Sequence, residues 1–155
     1  MDTRAAPQTT LDSVTAYLSL DHQRLDALLH EAELRVADAR WADAAESHAL
    51  LARGLERHIR LDEEIVFPLF EARSGIVDGP TAVMRDEHRC MRRALSMMRA
   101  GIDAEDADGF AEGLSFLNSV RSDHDAKEER ILYPMTDRLL APRDRARVAA
   151  RLQRE

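Results

Sequence analysis

The sequence predicts an all-α protein, an up-down-up-down four-helix bundle with a short C-terminal helix, and three observations carry that reading. Six glycines and five prolines in 155 residues leave few breaks. The periodic pattern lapses at Ala37–Trp41, and loops fall at Ser74–Pro80 and Gly101–Gly109, which leaves four long uninterrupted segments. Along each segment apolar residues recur at spacings of three and four, the period of a helix that buries one face. A chain of this length forms one domain with a core large enough to need no staples. The expected organisation is a disordered segment over 1–10, the bundle over 11–140 and a basic helix over 141–155.

The first helix starts after Thr9 and Thr10, either of which can cap it, and runs to about Ala37. Its buried seam reads Leu11, Val14, Leu18, His22, Leu25, Leu29. The second spans about Ala42 to Ala72, with Leu51, Leu55, His58, Asp62, Ile65 and Leu69 inward. The third opens at Pro80, a residue suited to a first helical position, and ends before Gly101; its seam is Met84, His88, Met91, Leu95, Met98. The fourth runs from about Asp108 to Leu140, with Phe110, Leu114, Leu117, Arg121, His124, Glu128, Ile131 and Met135 inward. Arg121 is the odd member, and the neighbouring Val120 would relieve it. The last piece, from Pro142, carries five arginines with Val148, Ala149 and Leu152 on one side, as expected of a solvated helix covering the bundle end.

The formal net charge of −7 argues against nucleic acid, which calls for a basic face, and against a membrane surface. No apolar run is long enough to span a bilayer. The N-terminal stretch MDTRAAPQTT lacks the apolar centre of a secretory signal, and the lone Cys90 fits a reducing compartment, so a cytoplasmic location is expected. Cys90 itself reads as a small buried hydrophobe.

Every seam is apolar except for one histidine, joined on the second and fourth helices by a carboxylate. A single histidine there would be an ordinary core residue; four, one per seam, are not. Burying Asp62 and Glu128 costs several kcal/mol unless a cation or strong donor meets each, and the seams hold almost no lysine or arginine. A metal is the expected partner. Imidazole and carboxylate together suit iron, zinc or manganese, and the absence of thiolates leans away from structural zinc. The spacing agrees, because His58 to Asp62 and His124 to Glu128 are both i,i+4 and share a face. The segments HIRLDEEIVFPLF and HDAKEERILYPMT also echo one another: histidine, acid at +4, Glu at +5, aromatic at +9 and proline at +10. Counting from the loop between the first two helices puts His22 and His58 level; the same count leaves His88 and His124 offset by about 6 Å along the axis. His30 and His48 lie too far along their helices and are expected at the surface or the bundle end.

DHQRLDALL around His22, HIRLDEEIVFPLF, MRDEHRCMRRAL around His88 and HDAKEERILYP together resemble the hemerythrin-like family, or HHE cation-binding domain, over about residues 12–140. The resemblance implies a bundle enclosing two iron ions, bridged by two carboxylates and an oxo or hydroxo group, with His22, His58, Asp62, His88, His124 and Glu128 as ligands. Oxygen-carrying members use a fifth histidine one turn from the third-helix ligand, whereas Met84 and Arg92 stand there in this chain. The sequence instead resembles the four-histidine branch, tied to iron sensing, iron-centre repair and oxidative or nitrosative stress. Asp62 also stands where glutamate is usual; being a methylene shorter, it leaves open that Glu63 reaches in. With two nitrogens, two bridging carboxylates and one bridging oxygen each, both irons would keep about one open position.

The expected function is thus a non-haem di-iron protein meeting O2, peroxide or NO as sensor, scavenger or iron-handling factor. A di-iron redox enzyme acting on peroxide or NO is the alternative. The ferritin-like version of that chemistry places a carboxylate three residues before histidine, where this chain has Ser19, Leu55, Arg85 and Arg121. A metal-free interaction module working through the arginine-rich tail is the third reading. Oligomeric state is left open.

Overall fold

The computed structural model describes residues 11–155, and among these there is no strand. Thr9, Thr10 and the disorder expected over 1–10 lie outside the described residues. Helix α1 spans Val14–Ala37 and is capped by Ser13, whose hydroxyl accepts from the Ala16 amide at 3.0 Å. Asp137, from the far end of the chain, takes the amides of Val14 and Thr15 at 2.9 and 3.0 Å and so ties down two further unpaired donors. The second rod is α2 (Trp41–Leu61), a π-helical turn at Asp62–Val66 and α3 (Phe67–Ser74). The third is α4 (Pro80–Asp103). The fourth is α5 (Ala107–Lys127), a second π turn at Glu128–Leu132 and α6 (Tyr133–Arg138). Helix α7 (Pro142–Arg154) comes last and lays Ala149 and Leu152, both 0% exposed, against the bundle end near α1.

The third rod does not stop at Gly101. Gly101 and Gly113 stand where α4 and α5 touch: a Cβ on Gly101 would lie 2.3 Å from the Phe110 amide nitrogen, and one on Gly113 2.7 Å from that of Met98. Here glycine permits close approach rather than breaking a helix. Because α4 continues to Asp103 and α5 begins at Ala107, His88 and His124 are more nearly level relative to their shared loop, and the expected offset falls to about 3 Å.

The π turns correct the seams beyond the carboxylates. Pro68 and Pro134 lack the N–H that would bond the carbonyl four residues back, and the amides of Phe67 and Tyr133 reach five back, to Asp62 and Glu128. One extra residue in the turn rotates the remainder of each rod. Phe67 and Phe70 therefore take the core place expected of Leu69, which is half-buried, while Leu132 and Tyr133 displace Ile131, which is 53% exposed. Arg121 stays inside at 6% exposure, paired with Asp26 and Asp125 and donating to the His22 carbonyl, so Val120 is not needed to relieve it. Cys90 is half-buried rather than buried.

The apolar interior consists of two clusters. One, from Leu25 to Leu117, fills the end holding the α1–α2 and α4–α5 loops; the other, built on Leu18, Val66, Phe67, Phe70 and Tyr133, fills the end under α7. Between them lies a layer of buried polar side chains.

Candidate metal centre

That layer holds all six residues singled out by the seams. His22, His58, His88, His124, Asp62 and Glu128 are each no more than 3% exposed. The imidazoles form two pairs: His22 Nε2 lies 3.1 Å from His58 Nε2, and His88 Nε2 3.1 Å from His124 Nε2. Glu128 spans them. Its Oε2 is 3.1 Å from His22 Nε2, and its Oε1 is 3.0 Å from His124 Nε2. Asp62 Oδ2 also lies between the pairs, 3.3 Å from His58 Nε2 and 3.9 Å from His88 Nε2.

The outer face of each imidazole explains why Nε2 points inward. His22 Nδ1 donates to Glu129 at 2.8 Å, His58 Nδ1 to Asp21 at 2.8 Å, His88 Nδ1 to Glu63 at 2.9 Å and His124 Nδ1 to Glu87 at 2.8 Å. A carboxylate can only accept, so each bond places the proton on Nδ1 and leaves the Nε2 lone pair for the interior. Such an outer carboxylate is the usual companion of a metal-bound histidine. Glu63 therefore does not reach in beside Asp62; it orients His88 and also meets Arg92.

Two facing nitrogen lone pairs 3.1 Å apart repel unless a proton or a cation lies between them. Without metal the layer settles this with protons. Burial opposes charge on His58, yet the Asp62 charge, the bond to Asp21 and the nearby Glu128 carboxylate raise it well above its ordinary value. Burial likewise opposes charge on His124, but Glu128 and Glu87 carry it to about 8. Burial and the charge on His124 hold His88 near 4. Burial and the adjoining Glu128 charge push Asp62 up to about 6, while burial of Glu128 is outweighed by the His124, His22 and His58 imidazoles around it, which keep it well below the carboxylate range. Glu128 Oε1 lies 3.0 Å from His124 Nε2 but is not aligned to bond it, so that buried oxygen has no hydrogen-bond partner. That orphaned oxygen and an all-nitrogen-and-oxygen donor set fit a metal ion. His22, His58 and Glu128, and equally His88, His124 and Glu128, form groups close enough to hold one.

Several contributors have roles that the sequence did not assign. Asp21, Glu63, Glu87 and Glu129 are the outer carboxylates, and Tyr133 is a buried phenol whose hydroxyl donates to Glu128 Oε2 at 2.7 Å and sits 3.0 Å from Asp62 Oδ1. Burial and the charges on Asp62 and Glu128 raise its pKa well above the ordinary phenol value. A repeat at one fixed offset gives the signal. Asp21 and Glu87, His22 and His88, His58 and His124, Asp62 and Glu128, Glu63 and Glu129, and Phe67 and Tyr133 are each 66 residues apart. The remaining histidines stay out of the layer. His30 is exposed; His48, expected at the surface or the bundle end, is buried and bonds the Leu95 carbonyl at 2.9 Å.

A helical bundle with a buried layer of paired histidines and carboxylates defines a cation-binding protein of the bundle type. The chain matches the hemerythrin HHE cation binding domain over residues 13–136, and it belongs to that family. No curated protein and no solved structure matches it. Among the described residues, no helix is long and apolar enough to cross a membrane.

Proposed function

We propose that this chain is a non-haem di-iron protein in which His22 and His58 hold one iron, His88 and His124 the other, and Asp62 and Glu128 bridge the two. The observation that carries the reading is Glu128, buried, with one oxygen turned to each histidine pair. When bound, the irons would supply Lewis acidity and one-electron redox chemistry for O2, peroxide or NO. The chain's own part is to fix four imidazoles by their Nδ1 bonds, exclude water with two apolar clusters, and hold two carboxylates at a cost only cations repay. Such a centre serves cytoplasmic sensing, iron handling, or oxidative and nitrosative defence.

Metal analysis after expression with iron available tests the reading. The expected result is two irons per chain, lost on His22→Ala, His58→Ala, His88→Ala or His124→Ala and kept on His30→Ala and His48→Ala. One zinc per chain and no iron would overturn it.

A further inference from the structure

We propose that the Tyr133 oxygen is a ligand of the metal held by His22 and His58, which makes the two halves of a repeated site chemically unequal. The inference rests on the di-iron reading above and adds a residue to it. Its basis is distance. Metal bonds of about 2.0–2.2 Å place neighbouring ligand atoms about 3 Å apart when they lie at right angles around one ion. His22 Nε2 to His58 Nε2 is 3.1 Å and His22 Nε2 to Glu128 Oε2 is 3.1 Å, both edges of such a polyhedron. Tyr133 Oη continues it, at 2.7 Å from Glu128 Oε2, 3.0 Å from Asp62 Oδ1 and 3.3 Å from His58 Nε2. Its environment is also a ligand's. Tyr133 is 0% exposed, and the side chains its hydroxyl touches are an imidazole and the two carboxylates assigned as bridges.

The repeat supplies the contrast. Phe67 occupies the position 66 residues earlier and stacks on His88 at 5.6 Å, as Tyr133 stacks on His22 at 6.0 Å. The two rings are placed alike, and only one bears an oxygen. The sequence alone counts the metals as equivalent, each with an open position. With Tyr133 bound, the His22/His58 metal is filled, and a small exogenous ligand goes to the His88/His124 metal. On ligation the phenol O–H bond breaks, a metal–oxygen bond forms, and the proton is released to solvent, as for any ligand that binds deprotonated.

The test is the visible and resonance Raman spectrum of the ferric-loaded protein, with iron counted in the same samples. The wild type should show a phenolate-to-iron charge-transfer band with enhanced tyrosine ring modes. Tyr133→Phe should lose both while retaining iron, and Tyr17→Phe should keep both, since the Tyr17 hydroxyl is engaged by Arg57 instead. Should Tyr133→Phe fail to fold, Tyr17→Phe decides alone, because Tyr133 is then the chain's sole tyrosine. Bound iron without phenolate modes there, or a band that survives Tyr133→Phe, overturns the inference and leaves the di-iron reading standing. A wild type that takes up no iron overturns both.

Discussion

Each inward histidine is held by a carboxylate from another rod: Asp21 and Glu129 link the first rod to the second and fourth, while Glu63 and Glu87 link the third to the same two. Loss of such a partner frees the ring and the tautomer, so Asp21→Asn or Glu87→Gln should weaken metal binding about 10–100-fold, read by competition with a chelator. Asp62→Ala should cost more metal than Glu63→Ala, because Asp62 is fully buried between the pairs whereas Glu63 reaches the layer only through the outer nitrogen of His88. The opposite order in metal content would place the bridge on Glu63. His48 tests a different physics. Burial, and then the Arg99 charge, outweigh its bond to Leu95 and the Asp103 charge, holding its pKa below the ordinary 6.5. The folded state therefore favours the neutral ring, and the stability this brings is present above pH 6.5 and lost as pH falls below it. Between pH 7 and 5 the wild type should lose more stability than His48→Gln, with a slope difference of at most about 1.4 kcal/mol per pH unit in urea titrations. Parallel curves would contradict this. The six candidate ligands were legible because seam position and chemistry coincide on them. The outer carboxylates were not: Asp21, Glu87 and Glu129 each adjoin an inward residue and look like ordinary solvated acids until the rods are docked, and Glu63 offers itself in the sequence as a bridge rather than as the partner of His88.

At the scale of the element, prolines and glycines carry meanings that periodicity does not reveal. Pro68 and Pro134 sit inside apparently continuous helices, and the π turns they accompany bring Phe67 and Tyr133 onto the metal layer instead of one place aside. A seam extrapolated at a constant 3.6 residues per turn fails at Leu69 and Ile131 for this reason. The aromatic–proline pair, present in both echoes, is the sequence mark of the distortion. Gly101 was legible as a glycine but not as a contact, because a break and a close approach look alike in one dimension. Their energetics differ. Gly101→Ala would place a methyl against the Phe110 backbone, which cannot yield without separating α4 from α5, and should cost about 1–3 kcal/mol. Gly75→Ala meets open space and only the penalty of a left-handed φ of 75°, about 1 kcal/mol. Urea midpoints should rank Gly101→Ala as the less stable; equal midpoints would mean the α4–α5 contact is soft.

At the scale of the whole molecule, the bundle is two dry cores separated by a charged layer, and that layer ties metal binding to folding. The two core clusters share no member, so what joins them through the middle is the set of imidazoles and carboxylates. In the proposed reading these would be the metal's ligands; without metal, Asp62 is pushed toward its neutral form beside an ionised Glu128 whose Oε1 lacks a partner. Removing metal therefore destabilises the native state while leaving the unfolded chain, which has no assembled site, nearly unaffected. Free metal at about 100 times its dissociation constant adds about 2.7 kcal/mol per site, and for a chain of this size each kcal/mol moves the melting temperature by about 2–4 °C. Chelation should accordingly lower the melting temperature by at least about 5 °C, with far-UV helical signal retained at 25 °C because both apolar clusters remain. The control is His22→Ala with His88→Ala, which opens both pairs; its melting temperature should no longer respond to added metal. A chelated wild type that melts where the loaded protein does would mean that the layer is satisfied by protons alone and that the metal is not part of the fold's stability.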